Sequence, residues 1–271
     1  MTDNNSKHQQ GFIIPIGGGE NKDKNPTILN RFIELCGGKN AHIAIIPTAS
    51  LLSDTGRQYQ QIFHQLGAKR TDVLNIHRRH DCESPAYLKL LETVSGIFIT
   101  GGDQLRLATI IGGTKLTAKM HELNKTGLHI AGTSAGAGFI SEHMIAGGKT
   151  GNTPRTDMVK LATGLGLTKQ LIIDQHFRQR HRIGRLITAV TFNPSAIGVG
   201  IDEDTAAFIG PGNRFEVLGS GWITIVDPKA MESSTVFSSR KLQRLSVCDL
   251  KIHMLTAGDV YDIQTRTTKL C

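Results

Sequence analysis

The stretch LHIAGTSAGAGFI, from Leu128 to Ile140, decides the fold class of this chain. An apolar run leads directly into the pentapeptide G-T-S-A-G, and the residues that follow have helical character. In a G-x-S-x-G turn, Gly132 and Gly136 let a strand and a helix pack closely around the serine. Ser134 is therefore predicted at a helix start, where the N–H of Ala135 can stabilise an oxyanion. The pattern favours a serine nucleophile for acyl transfer, although small residues also form plain tight turns and phosphate-binding loops.

Apolar runs alternate with helix-like segments along most of the chain. The runs predicted as strands cover residues 12–16, 42–46, 73–76, 96–100, 128–131, 171–174 and 196–202. Segments with the spacing of amphipathic helices lie between them, at 26–35, 57–66 and 116–124. The alternation predicts an α/β fold, a mainly parallel sheet flanked by helices on both faces. After Thr205 short runs broken by glycine, proline and asparagine predict antiparallel edge strands toward the C-terminus.

Composition and charge narrow the class of protein. The 271 residues are 39% hydrophobic and 20% charged, as in a folded globular protein, and fit a single α/β domain over residues 11–271. No apolar run approaches the roughly 20 residues of a membrane span. The polar residues 1–10 lack the apolar core of a secretory signal and are predicted to be a disordered leader. The net charge of +8 is typical of a protein that binds nucleic acid, of one whose site binds acidic groups, or of one with a positively charged solvated surface.

The cysteines give a further expectation about the environment of the protein. Four of them lie far apart without a C-x-x-C pair: Cys36, Cys82, Cys248 and Cys271. This spacing predicts neither a zinc site nor a disulfide framework. A reducing cytoplasm fits the pattern.

Ligands of open α/β sheets bind beyond the carboxyl ends of the strands, so residues that follow the apolar runs are the candidates for chemistry. His176 follows the run at 171–174, which places it with Ser134 at the edge of the sheet formed by the carboxyl ends of the strands. It is predicted to be the base that activates the serine. His42 begins a strand at the opposite edge. Three further histidines fall on predicted helices: His64, His121 and His143.

Spacing alone does not identify the acid that orients this base. The candidates are Asp174, Asp202, Glu203 and Asp204. Glu203 follows the run at 196–202 at the same rim, whereas Asp174 shares the side of its strand with His176. These acids equally suit turn caps or pairs with nearby arginines. If Glu203 is the acid, the order Ser, His, Glu disagrees with the order Ser, acid, His of α/β-hydrolases.

The second oxyanion donor is predicted after the run at 96–100. Gly101 and Gly102 follow that run, and a glycine there brings a backbone amide close without steric obstruction. Plain turn chemistry is the alternative explanation of these glycines.

The densest charge cluster of the chain follows His176. The segment FRQRHRIGR carries four arginines: Arg178, Arg180, Arg182 and Arg185. A guanidinium binds carboxylate or phosphate through paired N–H donors, so arginines beside a base favour a substrate with carboxylates near the scissile bond. A solvated helix face and a nucleic-acid surface are the alternatives. Nucleic acid is disfavoured because the segment lacks interleaved aromatics that stack on bases.

Together these motifs resemble the cyanophycinase family of serine peptidases, which belongs to the same clan as aspartyl dipeptidase. The resemblance covers almost the whole chain from Gly11 and rests on PIGGGE at 15–20, TGGDQ at 100–104, AGTSAGA at 131–137, IDQHFRQRHRIGRL at 173–186 and GIDEDTA at 200–206. It implies a fold like that of class I glutamine amidotransferases. It also implies an enzyme without a cofactor or metal, and a homodimer.

The resemblance assigns roles to individual residues. It makes Ser134 the nucleophile, His176 the base and Glu203 the acid, with the amides of Ala135 and Gly102 at the oxyanion. It places six residues in the substrate pocket: Gln104, Asp174, Gln175, Arg180, Arg182 and Arg185. Family members cleave cyanophycin, a polyaspartate whose β-carboxyls carry arginine, and release β-aspartyl-arginine dipeptides. We therefore expect Arg180 and Arg182 to bind substrate carboxylates and Asp174 to bind a substrate guanidinium.

The sequence thus predicts a cytoplasmic serine exopeptidase that hydrolyses cyanophycin through an acyl-enzyme and has neither nucleic acid nor a membrane as partner. A related aspartyl or isoaspartyl dipeptidase would share the triad but accept small dipeptides. A basic nucleic-acid-binding protein is the alternative from a different class, and its binding would depend steeply on salt.

Overall fold

The computed structural model describes residues 9–232, 234–235 and 244–271. Residues 1–8, most of the predicted leader, lie outside the described residues. In chain order the strands are β1 Ile13–Ile16, β2 His42–Ile46, β3 Arg70–Val73, β4 Gly96–Ile99, β5 His129–Thr133, β6 His143–Gly148, β7 Val159–Thr163, β8 Leu171–Gln175, β9 Ile197–Ile201, β10 Thr205–Gly210, β11 Arg214–Gly219, β12 Ile223–Asp227, β13 Lys251–Leu255, β14 Val260–Asp262 and β15 Thr267–Lys269. The α-helices are α1 Thr27–Leu35, α2 Thr55–Gln65, α3 Pro85–Leu91, α4 Gln104–Ile110, α5 Lys115–Lys125, α6 Ala135–Ile140 and α7 Ile183–Phe192.

The main sheet has the strand order β15-β14-β11-β10-β1-β5-β4-β2-β3. Strands β1, β5, β4, β2 and β3 run parallel, as the alternation of apolar runs and helices predicts. The remaining four strands are antiparallel and extend the sheet at one edge. The predicted α/β class with antiparallel edge strands is therefore confirmed.

A second sheet, with the order β13-β12-β9-β8, lies outside this prediction. Its β8–β9 pair is parallel, and β12 and β13 extend it antiparallel. The apolar runs of β8 and β9 alternate with helices like those of the main sheet, so the pattern does not reveal which sheet they join. One buried cluster connects the two sheets, with Ile13 and Phe215 from the main sheet packed with Ile173 and Val199 from the second. This packing brings the ends of β5, β8 and β9 together.

Two local predictions are wrong. The third strand covers Arg70–Val73 instead of 73–76, because the ladder to β2 ends where Val73 pairs with Ile45. Leu74 and Ile76 are buried just after the strand and belong to the core, which explains the apolar run. His143 begins the strand β6 rather than lying on a helix, and β6 forms an antiparallel hairpin with β7.

An aromatic cluster stabilises the α1–α2 side of the main sheet. Phe98 of β4 is fully buried, and its ring centroid lies 4.8 Å from Tyr59, 5.1 Å from Phe63 and 5.9 Å from Phe32. Aromatic rings from α1 and α2 therefore pack against the same strand residue, Phe98. Removing that ring would leave a cavity bounded by both helices.

Phe98→Ala is expected to lower the free energy of unfolding by about 3–5 kcal/mol, because it removes transfer free energy and leaves a cavity. Phe192→Ala makes the same chemical change at a position that is 40% exposed, and should cost less than about 1 kcal/mol. Urea unfolding of both variants measures the difference. Equal losses would contradict the assignment of Phe98 to the core.

Candidate active site

The G-x-S-x-G turn forms the predicted sharp bend between β5 and α6. Ser134 has a φ of 52° and a ψ of −112°, a conformation that is strained for a residue with a side chain. Its N–H donates to Ile16 O of β1 at 2.9 Å. A Cβ on Gly132 would lie 2.6 Å from the backbone of Gly136, and one on Gly136 would lie 2.4 Å from Ile99 O. A side chain at Gly132 would separate β5 from the helix, and one at Gly136 would separate the helix from β4, so the close packing requires both glycines.

Ser134, His176 and Glu203 form a hydrogen-bonded triad. Ser134 Oγ lies 2.7 Å from His176 Nε2, and His176 Nδ1 lies 2.6 Å from Glu203 Oε1. Because a carboxylate accepts from Nδ1–H, Nε2 of a neutral imidazole is left to accept the serine proton. The serine comes from the end of β5, the histidine follows β8 and the glutamate follows β9. The packing of the two sheets therefore assembles the triad.

The other candidate acids bind elsewhere. Asp202 accepts from the backbone N–H groups of Arg178 and Trp222, and Asp204 accepts from the N–H of Asn21. Asp174 pairs with arginines. Of the four carboxylates, Glu203 contacts the histidine.

The surroundings of His176 favour its neutral form. Burial lowers the pKa of the imidazole, the hydrogen bond to Glu203 raises it, and the positive charges of Arg180 and Arg182 lower it further. The net direction is downward from the ordinary value. A neutral imidazole at neutral pH is the form that can accept a proton from Ser134.

The loop after β1 connects the elements that carry the triad. Gly17 O accepts from the N–H of His176 at 2.8 Å, and Gly18 O accepts from the N–H of Asp204 at 2.8 Å. Together with the bond from Ser134 to Ile16 O, these bonds tie all three strand ends to one segment of backbone. The PIGGGE motif carries the family resemblance, but the sequence alone gives its glycines no role. Three consecutive glycines at a strand end are the signal that indicates this close approach.

Gly18 and Gly19 contact the triad directly through their lack of side chains. Gly18 has a φ of +91°, and a Cβ there would lie 2.4 Å from Cε1 of His176. Gly19 has a φ of +58°, and its Cβ would lie 3.2 Å from Oε2 of Glu203. A larger residue at position 18 would displace the imidazole from its position between the serine and the glutamate.

Glu20 connects the same loop to the serine turn. It is 4% exposed, and its carboxylate accepts from Thr133 Oγ1 at 2.6 Å and from Tyr59 OH at 2.5 Å. Burial and the negative charge of Glu20 raise the pKa of Tyr59, so its hydroxyl stays protonated and donates. Because Thr133 directly precedes Ser134, this buried carboxylate restrains the strained bend.

The predicted oxyanion donors are Ala135, which follows the serine in the chain, and Gly102, whose neighbour Gly101 packs against the serine. Ala135 is the first residue of α6, so its N–H has no acceptor within the helix. A Cβ on Gly101 would lie 3.2 Å from Cβ of Ser134, which places this backbone against the serine. Gly102 follows with a φ of +142°, and its Cβ would lie 2.1 Å from Ala49 O. Position 102 therefore requires glycine, and a side chain at position 101 would crowd Ser134.

Asp174, Arg182 and Arg185, which lie on either side of His176 in the chain, form a buried cluster of charged side chains. Asp174 is fully buried and pairs with Arg185, whose Nε donates to Oδ2 at 2.5 Å and whose Nη2 donates to Oδ1. Arg182 Nη1 lies 3.2 Å from Asp174 Oδ1 and donates to Oε1 of Gln175 at 3.1 Å. Both carboxylate oxygens are thus occupied within the protein. This arrangement differs from the expectation that Asp174 binds a substrate guanidinium.

The cluster has one more guanidinium than carboxylate. Burial lowers the pKa of Arg182 to about 10, which leaves the side chain protonated at neutral pH. Within the described residues its buried Nε has no hydrogen-bond partner. An uncompensated buried positive charge attracts an anion, and the carboxylates of a substrate are of that kind.

The remaining predicted pocket residues flank this region. Arg180 is exposed and close enough to lower the pKa of His176. Gln104 begins α4 and donates from Nε2 to Ile145 O of β6 at 3.1 Å, so it connects that helix to the β6–β7 hairpin.

The parts of the chain that the structure describes contain no cluster of three or more histidine, cysteine, aspartate or glutamate side chains suited to a metal. All four cysteines are free. No helix in these parts is long and apolar enough to cross a bilayer.

Gly18→Ala is expected to slow covalent labelling of Ser134 by a fluorophosphonate at least tenfold, because the new methyl group displaces the imidazole. Gly67→Ala is the matched control: its φ is +92°, and a Cβ there meets nothing within 4 Å. Both variants carry the same backbone strain, so thermal unfolding should show similar losses of stability. Labelling of Gly18→Ala at the wild-type rate would contradict the contact.

Comparisons with known proteins identify the family of this chain. The model of peptidase family S51 matches residues 13–216. A cyanophycinase of Trichormus variabilis is 42% identical over 257 residues, which cover 94% of this chain and 86% of that protein. A cyanophycinase of Synechococcus elongatus is 39% identical over 266 residues, which cover 97% and 82%.

A solved structure shares the fold. The crystal structure of a peptidase from an acI-B1 Actinobacterium superposes with a TM-score of 0.65 at 23% identity and covers 90% of this chain and 98% of that one. The predicted family resemblance is confirmed by the match of the family model and by the two cyanophycinases. The chain belongs to peptidase family S51 and is a serine-type peptidase.

Proposed function

We propose that this chain is a cyanophycinase, a serine exopeptidase that hydrolyses cyanophycin to β-aspartyl-arginine dipeptides. The observation that carries the proposal is the Ser134–His176–Glu203 triad beside a buried cluster with an excess guanidinium, in a chain 42% identical to a cyanophycinase. The triad supports acyl transfer, and the cluster supports a substrate that carries carboxylates next to the scissile bond.

In the proposed mechanism His176 acts first as a base and then as an acid. Nε2 takes the proton of Ser134 while Oγ attacks the scissile carbonyl, and Glu203 stabilises the imidazolium that forms. The N–H groups of Ala135 and Gly102 donate to the tetrahedral oxyanion. Nε2 then protonates the leaving amine as the C–N bond breaks. Water, deprotonated by the same imidazole, attacks the acyl-enzyme, and the imidazolium returns this proton to Ser134 Oγ as the ester C–O bond breaks and the product leaves.

Substrate recognition is proposed to depend on the arginines after His176. Arg180 and Arg182 bind carboxylates of the arginyl groups, with Gln104 and Gln175 beside them. Asp174 fixes the guanidinium planes of Arg182 and Arg185 rather than touching substrate, because both of its oxygens already accept from these arginines. Arg182 is held through Nη1 while its Nε has no partner among the described residues, and a guanidinium fixed in this way is pre-organised for a carboxylate.

Other features remain predictions. The sequence alone predicts a homodimer, a cytoplasmic location, a single domain over residues 11–271 and catalysis without a cofactor. The dipeptidase alternative is an outcome of the experiment on the polymer, and binding of nucleic acid that falls steeply with salt would identify the nucleic-acid alternative.

Ser134→Ala is expected to lower release of β-aspartyl-arginine from insoluble cyanophycin by several orders of magnitude, because the nucleophile is lost. Mass spectrometry of the soluble products measures the change, and Ser195→Ala, in the exposed loop before β9, is the control. Near-normal release by Ser134→Ala would refute the mechanism. A wild type that cleaves aspartyl dipeptides and leaves the polymer intact would instead be a dipeptidase.

The activity is expected to fall at acidic pH as His176 becomes protonated, and the midpoint in kcat/KM should lie below the ordinary pKa of histidine because burial lowers the pKa of this imidazole. Arg180→Gln removes a positive charge that lowers the pKa, so the acidic limb should move to higher pH. Arg57→Gln, on the exposed face of α2, should leave the limb in place. A limb that moves to lower pH in Arg180→Gln would contradict the electrostatic assignment.

A further inference from the structure

A second candidate binding surface lies next to the triad on the second sheet. It is a cleft of about 330 Å³, and its lining includes Phe177, Arg178 and Asp202. Phe177 and Arg178 directly follow His176, and Asp202 directly precedes Glu203. Since consecutive Cα atoms are about 3.8 Å apart, the Cα of Arg178 lies within about 7.6 Å of that of His176. The cleft is therefore adjacent to the triad.

Arg178 is held in this cleft by two contacts. Its Nε lies 3.2 Å from Asp202 Oδ2, and its guanidinium carbon lies 4.7 Å from the centre of the Trp222 ring. Asp202 is itself fixed, because it is 2% exposed and accepts from the N–H groups of Arg178 and Trp222. A guanidinium with one edge paired and one face stacked loses little further freedom when it binds an anion.

The outer edge of this guanidinium is open. The Arg178 side chain is 61% exposed, and across the described ranges its two Nη groups have no hydrogen-bond partner. Paired N–H donors of this kind bind a carboxylate. The site is therefore chemically suited to one carboxylate group of a ligand.

Besides Arg178 and Asp202, the cleft is lined by apolar side chains that face solvent and by Asn152, His181, Arg182 and Thr224. Trp222 is 36% exposed, and Ile252 and Met254, which share one face of β13, are 50% and 62% exposed. Exposed apolar side chains gathered next to a cation suit a ligand that has an aliphatic stem and a carboxylate. The arginyl group of the substrate proposed above has both.

We propose that this cleft binds the arginyl group of a polymer unit adjacent to the one that acylates Ser134. The Nη groups of Arg178 bind the arginine α-carboxylate, while Trp222, Ile252 and Met254 contact the aliphatic stem. The inference rests on the proposed function and extends it from one unit of the polymer to two. It gives the enzyme a means of preferring the polymer over a single dipeptide unit.

The experiment compares cyanophycin with β-aspartyl-arginine that carries an anilide on its aspartyl α-carboxyl. This single-unit substrate lacks the adjacent arginyl group. Arg178→Gln and Met254→Gln are expected to lower the ratio of kcat/KM on polymer to kcat/KM on anilide by about tenfold or more, chiefly through KM on the polymer. Arg57→Gln is the control for loss of a positive charge. Met254 is exposed, so this variant tests the cleft even if Arg178→Gln folds poorly.

Three results would overturn the proposal. An unchanged ratio in both variants shows that the cleft does not bind the adjacent unit. A smaller assembly in light scattering, with an unchanged ratio, identifies the patch as a subunit interface. A wild type without activity on the polymer refutes the proposed function and this inference together, whereas an active wild type with unaffected variants refutes the inference alone.

Discussion

The geometry of the site depends on the close approach of the Gly17–Gly18 backbone to three strand ends. Carbonyl groups of this segment and of Ile16 accept from the N–H groups of Ser134, His176 and Asp204. These bonds fix the ends of β5, β8 and β9 relative to one another, and the triad side chains emerge from those ends. Because Gly18 packs against the imidazole, its missing side chain is as necessary as its hydrogen bond. The conformational strain at Ser134 persists because the backbone bonds and Glu20 restrain it on both sides.

The charged groups around His176 set its protonation state. His176 is kept neutral by burial and by the arginines beside it, although its contact with Glu203 acts in the opposite direction. The same arginines carry the charge proposed to bind the substrate. One set of guanidiniums thus serves two purposes: it keeps the base unprotonated at neutral pH, and it provides positive charge for carboxylates. Asp174 lowers the cost of burying two arginines without cancelling their charge.

The sequence predicts some of these features and not others, for physical reasons. Periodicity identifies most strands of the parallel core, and the rule that ligands bind at strand carboxyl ends places Ser134 and His176 at one rim. Periodicity carries no information about pairing partners, so the second sheet and the β6–β7 hairpin are not predicted. Spacing also leaves four acids in competition for His176, because the choice depends on how β9 packs. The resemblance selects Glu203, which is the acid that contacts the histidine in the structure. The sequence offers pairing with nearby arginines as one role of Asp174, but it does not select that role, since Asp174, Arg182 and Arg185 have equally plausible partners in a ligand.

The protonation state of His176 tests the account most directly. Nitrogen NMR of protein labelled with ¹⁵N-histidine distinguishes a protonated from an unprotonated ring nitrogen. At pH 7 we expect a neutral ring with the proton on Nδ1, bound to Glu203, and an unprotonated Nε2 facing Ser134. A doubly protonated ring at that pH, or a neutral ring with its proton on Nε2, would contradict the proposed role of His176 as the base that activates Ser134.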